Sequence, residues 1–254
     1  MIFLSGNLMS APGAQRAAPL PLVRAAPAPA PPPTVSVTNA LLLNFNGTNG
    51  SATFTDSSPN AAVPAVFGGA VLTTDPTKRT FGSAAGDFSA SADTYIRFAA
   101  SAALRLIRAF TVRFTLIPSL SDLKNRFIIG TTNDAWHLWF KINQDGFLEC
   151  YAGGYQAAST ILPVASTKYY LMVTRNSAGL ITWSINGNLQ PALGINTTDH
   201  SNNTYWEIGA FPTGAGPGRG CQGYIDELQI LSEFGSTNRA PPTSEFTQPQ
   251  IELA

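Results

Sequence analysis

The sequence predicts an all-β chain, a two-sheet antiparallel sandwich preceded by an extended Pro/Ala-rich arm. Three observations carry that reading. Apolar and polar residues alternate with the period of a strand in several windows between residues 41 and 231. Turn-forming clusters separate these windows, and the chain holds 22 glycines and 19 prolines to build them. Almost no stretch keeps the 3.6-residue apolar spacing of a helix; residues 99–108, AASAALRLIR, are where a helical turn or short helix is expected.

The arm comes first. Residues 10–33, APGAQRAAPLPLVRAAPAPAPPP with its flanks, have no periodic apolar face and lack many N–H donors, which predicts a stiff segment, extended and polyproline II-like or disordered, that serves either as a plain linker or as an anchoring arm laid along a larger partner. The globular part is expected over residues 35–234 and a second extended tail over 235–254. Leu41-Leu42-Leu43-Asn44-Phe45 reads as the first core strand, closed by the turn residues Asn46-Gly47-Thr48-Asn49-Gly50. Asp56-Ser57-Ser58-Pro59-Asn60 is another turn. Residues 67–73 form a short strand ended by Asp75-Pro76, and Tyr95-Ile96-Arg97-Phe98 closes a hairpin-like region. Phe110, Val112, Phe114 and Leu116 alternate with Thr111, Arg113 and Thr115, a half-buried strand stopped by Pro118.

Phe127-Ile128-Ile129 is a short buried strand. Trp136, Leu138, Phe140 and Ile142 alternate with His137, Trp139 and Lys141. The turn Asn143-Gln144-Asp145-Gly146 then leads into Phe147-Leu148-Glu149-Cys150-Tyr151, the clearest hairpin in the chain. Residues 169–175 and 180–185 make a second hairpin, followed by the type I′ signal Asn186-Gly187. Residues 205–210 and 222–231 complete about twelve to fourteen strands. In Gly223-Tyr224-Ile225-Asp226-Glu227-Leu228-Gln229-Ile230-Leu231, period-2 alternation places Asp226 on the face of Leu228 and Ile230. A carboxylate on a buried face needs backbone N–H groups, a base or a metal as partner.

Composition narrows the function classes. Charged residues are 12% of 254 and the net charge is zero, so neither nucleic acid nor an anionic membrane is suggested as a partner. No apolar run reaches the ~18 residues of a membrane span. The N-terminus, MIFLSGNLMSAPGAQR, lacks a basic region and a sustained apolar core and reads as a poor secretory signal. Cys150 and Cys221 are the two cysteines; they could be bridged, but Cys150 shares strand parity with Leu148 and reads equally as a small buried thiol.

Seven segments in order, LLLNFNGTNGSATFTDSS, FGSAAGDFSASADTYIRF, AFTVRFTLIPS, KYYLMVTRNSAGLITWSING, YWEIGA, GYIDELQIL and a Pro-containing tail, resemble the concanavalin A-like lectin/glucanase superfamily in its laminin-G-like branch. The resemblance spans residues 41–247. It implies two curved antiparallel sheets packed as a jelly roll, with the first and last strands side by side, so that residues 41–45 should pair with 224–231. It also implies a structural Ca²⁺, for which Asp56 and Asp226 are the matching acidic positions. The competing expectation is that Asp226 accepts backbone N–H bonds and Asp56 caps its Ser-Ser turn.

Glucanases of this superfamily carry alternating acidic residues on one strand. Here no strand shows Glu-x-Asp-x-x-Glu, Asp226 and Glu227 point to opposite faces, and Glu149 stands alone, so no catalytic residues are assigned. His137 and His200 lie in no Ser-His-Asp arrangement. A glycan-binding strip is expected from His137 and Trp139 with the loop residues Asn133, Asp134 and Tyr155, because aromatic faces stack on sugar C–H surfaces. Trp136, Trp183 and Trp206 are expected in the core. The glycine-rich run 214–220 has neither the setting nor the Lys of a phosphate loop.

Short chains with this GYIDEL ending resemble structural proteins of tailed phages. That implies a non-enzymatic virion-surface protein of the capsid-decoration, head-fibre or tail-adhesin type. Its partners would be other virion proteins through residues 1–34, a cell-surface glycan, and further copies of itself as a homo-oligomer in the assembly. The alternative is an extracellular location, as a secreted carbohydrate-binding or adhesion lectin module.

Overall fold

The computed structural model describes residues 37–101, 104–106, 109–121, 123–131, 138–176, 178–197, 205–210 and 220–233. Sixteen strands and no α-helix lie among them. The expected arm over 1–34 and tail over 235–254 fall outside the described residues. Of the expected helical turn, Leu104 N–H donates to Ser101 C=O at 3.3 Å.

The strands form two antiparallel sheets. The nine-stranded sheet runs β13 (Asn188–Leu189), β12 (Leu180–Ile185), β11 (Tyr169–Arg175), β6 (Ala109–Pro118), β16 (Gly223–Glu233), β4 (Ala85–Asp87) and β3 (Val71–Thr73). In it β1 (Val37–Leu43) also pairs with β16 and β14 (Gly194–Ile195) with β12. The seven-stranded sheet runs β10 (Tyr155–Ala158), β9 (Leu148–Ala152), β8 (Leu138–Ile142), β7 (Arg126–Thr131), β15 (Trp206–Ile208), β5 (Tyr95–Phe98) and β2 (Ala65–Phe67). The all-β, two-sheet jelly roll read from the sequence is the observed fold.

The alternating apolar residues of both sheets meet between them. Val112, Phe114 and Leu116 of β6 face Leu138, Phe140 and Ile142 of β8 in one buried cluster that also holds Trp183 and Trp206. Phe114 and Phe140 meet edge to face with centroids 5.1 Å apart, a geometry worth about 0.5–1.5 kcal/mol beyond area burial. Trp183 donates its indole N–H to Pro191 C=O at 3.0 Å, and Trp206 donates to Leu104 C=O at 3.1 Å. Cys150 and Cys221 are buried free thiols, not a disulfide. Burial raises both, Cys150 well above its usual value and Cys221 to about 12, so neither is a reactive thiolate at neutral pH.

The first and last strands lie side by side: Leu41 is opposite Ile230, Leu42 opposite Gln229 and Leu43 opposite Leu228. The pairing starts earlier than expected, at Val37 opposite Glu233, and stops at Leu43. Phe45 lies beyond it at φ 51°.

β16 corrects one sequence expectation. Its register with β6 shifts between Asp226 and Gln229, and Glu227 sits at φ 51°. This bulge switches the alternation, so Ile225, Leu228 and Ile230 all enter the core cluster. Asp226 therefore faces away from Leu228 and Ile230, not with them. It is nevertheless 1% exposed, because the Thr80-Phe81 segment lies against it.

Candidate functional site

The β8–β9 hairpin builds the site. Asn143 closes its turn: the side-chain Oδ1 accepts the N–H groups of Asp145 (3.0 Å) and Phe147 (2.9 Å), and the carbonyl accepts those of Gly146 (3.1 Å) and Asn125 (3.0 Å). Gly146 takes φ 92°, a left-handed conformation open to glycine. The turn fixes the register that follows: Ile142 opposite Leu148, Lys141 opposite Glu149, Phe140 opposite Cys150 and Trp139 opposite Tyr151. Alternation then sends Ile142, Phe140, Leu148 and Cys150 into the core. Lys141, Trp139, Glu149 and Tyr151 take the outer face of the seven-stranded sheet.

On that face Lys141 Nζ lies 3.0 Å from Glu149 Oε1. The ammonium also sits 4.6 Å above the Trp139 ring and 5.8 Å from that of Phe127, both within cation–π range. Asn143 Nδ2 donates to Glu149 Oε2 at 3.2 Å. Trp139 and Tyr151 stack with centroids 5.0 Å apart and planes 14° apart. Beside this group opens a polar cleft of about 390 Å³. Lys141, Asn143 and Glu149 form its base, and Asn125, Gln144, Asp145 and Gln156 its walls. Gln156, on β10, is in register with Tyr151, so the aromatic stack adjoins the cleft. The side chains of Asn125, Gln144, Asp145 and Gln156 make no hydrogen bond among the described residues. The cleft thus presents amide and carboxylate acceptors together with amide and ammonium donors.

The outer face continues across the sheet. A single cross-strand row runs Gln156, Tyr151, Trp139, Gly130, Glu207, Arg97 and Ala65. At its far end Arg97 forms an ion pair with Glu207. It also lies 4.3 Å from the Tyr205 ring and 5.2 Å from that of Phe67. Burial raises the Glu207 carboxyl, and Arg97 opposes that rise.

The expected glycan strip is divided by the structure. Asn133, Asp134 and His137 lie outside the described residues. Trp139 is on the outer face but only 8% exposed, covered by Phe127, Lys141 and Tyr151, where a solvent-facing ring was expected. Tyr155 does not join it. Tyr155 is opposite Ala152, a core residue, so it takes the other face of β10 from Gln156. Its hydroxyl donates to Ile195 C=O at 2.8 Å, and its ring packs on Gly194, where an added Cβ would lie 2.7 Å from the ring. Tyr155 therefore links the edges of the two sheets. The cleft residues carry the sequence signature of an ordinary hairpin turn; counting back from residues 143–146 places Lys141 across from Glu149.

The residues proposed for calcium do not fit a cation. Asp56 Oδ1 accepts Leu42 N–H (3.0 Å) and Ser58 N–H (2.8 Å), while Oδ2 accepts Ser58 O–H (2.8 Å) and Ala62 N–H (2.9 Å). Asp226 Oδ2 accepts Thr80 N–H (2.6 Å) and Phe81 N–H (3.0 Å), and Oδ1 accepts Glu227 N–H (2.9 Å). Both carboxylates are ringed by positive N–H ends, whereas Ca²⁺ requires further oxygen ligands. Among the described residues no group of three or more His, Cys, Asp or Glu side chains could hold a metal ion. No helix among them is long and apolar enough to cross a membrane.

Solved structures share this architecture. The binding domain of Paraclostridial Mosquitocidal Protein 1 matches at 15% identity with a TM-score of 0.59, over 80% of this chain and 50% of its own. The binding domain of botulinum neurotoxin serotype G matches at 17% and 0.53, over 80% of this chain and 49% of its own. The chain thus spans about half the length of these toxin domains. Domain 4 of the extracellular arabinanase AbnA from Geobacillus stearothermophilus, solved with arabinotriose, matches at 16% and 0.57, over 77% of this chain and 93% of its own. At these identities the likeness is one of fold, and two of the three are named as binding domains. No curated protein matches in sequence. A family model does match, over residues 90–236 and hence more than half of the chain. Together with the two-sheet topology and the paired first and last strands, that match shows that the chain belongs to the concanavalin A-like lectin/glucanases superfamily, as a laminin-G-type domain.

Proposed function

We propose that the jelly roll is a non-enzymatic, lectin-like module that binds glycan in the cleft between the 143–146 turn and β10. The observation that carries this is the polar cleft itself, which gathers donors and acceptors in one place. Sugar hydroxyls both donate and accept, and Lys141, Glu149, Asn125, Asp145 and Gln156 supply both kinds of partner. The fold-sharing arabinanase domain solved with arabinotriose and the toxin binding domains support a binding role. Both Glu149 oxygens face donors, Lys141 and Asn143. A glycosidase acid must instead present a proton.

The resemblance to tailed-phage structural proteins and the Pro/Ala-rich composition of residues 1–34 support a finer reading: a module on the virion surface, anchored by that segment. A secreted lectin is the competing outcome. Titration calorimetry of the full chain against an oligosaccharide panel tests the binding site. Asp145→Ala combined with Gln156→Ala truncates two cleft side chains that make no hydrogen bond among the described residues. Affinity should fall about tenfold, since each lost hydrogen bond is worth roughly 0.5–1.5 kcal/mol. Unchanged affinity would move the glycan site elsewhere.

A further inference from the structure

We infer that the cleft selects neutral over anionic sugars and reads a vicinal diol through the Lys141–Glu149 pair, an assignment that rests on the glycan-binding reading above. The pair is partly withdrawn from solvent: the Lys141 side chain is 18% exposed and that of Glu149 5%. Its two heads stand 3.0 Å apart at the base of the cleft. Glu149 Oε1 is enclosed against Lys141, so a ligand entering there can meet the carboxylate only at Oε2, beside the Lys141 ammonium. One sugar hydroxyl can donate to Glu149 while its neighbour accepts from Lys141. Two adjacent hydroxyls on one ring supply that combination, whereas a lone hydroxyl satisfies half of it.

The charges disfavour anionic ligands. Among the described residues the cleft lining holds one cation, Lys141, and two carboxylates, Glu149 and Asp145. Lys141 is already engaged by Glu149 and by the faces of Trp139 and Phe127. Lys141 keeps N–H donors for a hydroxyl, but its charge is already offset by Glu149, so a uronate or sialate carboxylate would meet a net negative cleft. In this partly desolvated setting that repulsion is not fully screened. The polar but uncharged walls, Asn125, Gln144 and Gln156, suit hydroxyl groups without favouring a charge.

The test uses the full chain and matched tetrasaccharides: galactan against galacturonan, and glucan against glucuronan, each by titration calorimetry. The expected result is binding of a neutral member with its uronate counterpart at least tenfold weaker. Asp145→Asn, at an exposed turn position, should narrow the uronate penalty, read as the ratio of neutral to uronate affinity. Glu149→Gln should lower the neutral affinity about tenfold, with the melting midpoint reporting whether the hairpin is intact. A deoxy sugar lacking one hydroxyl of the diol should lose as much on wild type and little more on Glu149→Gln. Uronates bound as tightly as neutral sugars, or an Asp145→Asn variant with the full uronate penalty, would overturn this inference and leave the glycan reading standing. No binding of any member by the wild type would overturn both.

Discussion

Replacing Asp226 by asparagine is expected to remove a pH dependence from the stability of the jelly roll. The carboxyl is 1% exposed beneath Thr80 and Phe81. Burial pushes it up from 3.8 to about 6, against the opposing pull of the Thr80, Phe81 and Glu227 N–H groups and the charge of Lys168. The folded chain therefore holds this proton at pH values where the unfolded chain has released it. The resulting stability is fully present below about 3.8 and is lost as the pH rises through about 6. The gap between those values, at ~1.4 kcal/mol per pH unit, amounts to about 3 kcal/mol. For a domain of this size that is roughly 6–12 °C in the melting midpoint. Asparagine keeps the volume and does not titrate, but it turns an NH₂ toward N–H donors, so the variant should be less stable at every pH. The decisive quantity is how its deficit changes. Urea unfolding of both proteins at pH 4, 5, 6 and 7 should show the wild-type advantage shrinking by about 2.4 kcal/mol from pH 4 to pH 7, the rest being lost already below pH 4. An advantage that stays constant would refute the reasoning. An advantage that grows would show that the three N–H bonds outweigh burial and hold the carboxyl below 3.8.

Asp56→Ala strips the acceptor from Leu42, Ser58 and Ala62 at once, and should cost at least about 2 kcal/mol by chemical denaturation. Because both carboxylates already face N–H donors, adding calcium or a chelator should leave the wild-type melting midpoint in place; a calcium-dependent rise would contradict the donor-set argument. Tyr155→Phe removes the bond to Ile195 and should cost about 1 kcal/mol of stability with glycan affinity unchanged, since Tyr155 faces away from the cleft. Reducing-sugar assays on β-glucans should show no turnover; release that disappears in Glu149→Gln would make the cleft catalytic. On the virion-surface reading proposed above, deleting residues 1–34 should leave the melting midpoint almost unchanged and abolish incorporation into particles, whereas full occupancy of the truncated chain would make the jelly roll itself the anchor.

Much of the fold was legible because burial writes itself into strands at period 2. Val112, Phe114 and Leu116 face the core as the alternation requires, and so do Leu138, Phe140 and Ile142. The limit of that signal is the bulge in β16. One extra residue between Asp226 and Gln229 reverses which parity is buried, and no residue type announces it: Glu227 takes φ 51° without being glycine, asparagine or aspartate. Asp226 was recognised as buried and in need of donors, but on the wrong face. What buries it is the Thr80-Phe81 segment, almost 150 residues earlier in the chain, a contact that local periodicity cannot encode.

The candidate site was harder to read for a different reason. Aromatic residues mark a sugar platform only where their faces are open, and the sequence does not show what covers them. Trp139 is covered by its own hairpin partners, and Tyr155 is spent on joining two sheet edges at Gly194. The cleft instead draws on residues whose sequence signature is that of an ordinary turn. Asn143 and Gly146 shape the hairpin end. The same turn brings Gln144 and Asp145 to the rim, and its register sets Lys141 across from Glu149. The turn thus does two things with one set of residues: it fixes the strand register, and that register places an acceptor beside a donor. A one-residue change in turn length would move Lys141 and Glu149 to opposite faces while keeping every polar residue present. Inserting a glycine after Gln144 should therefore abolish sugar binding even in variants that remain folded; retained binding would mean that the cleft does not depend on the hairpin register.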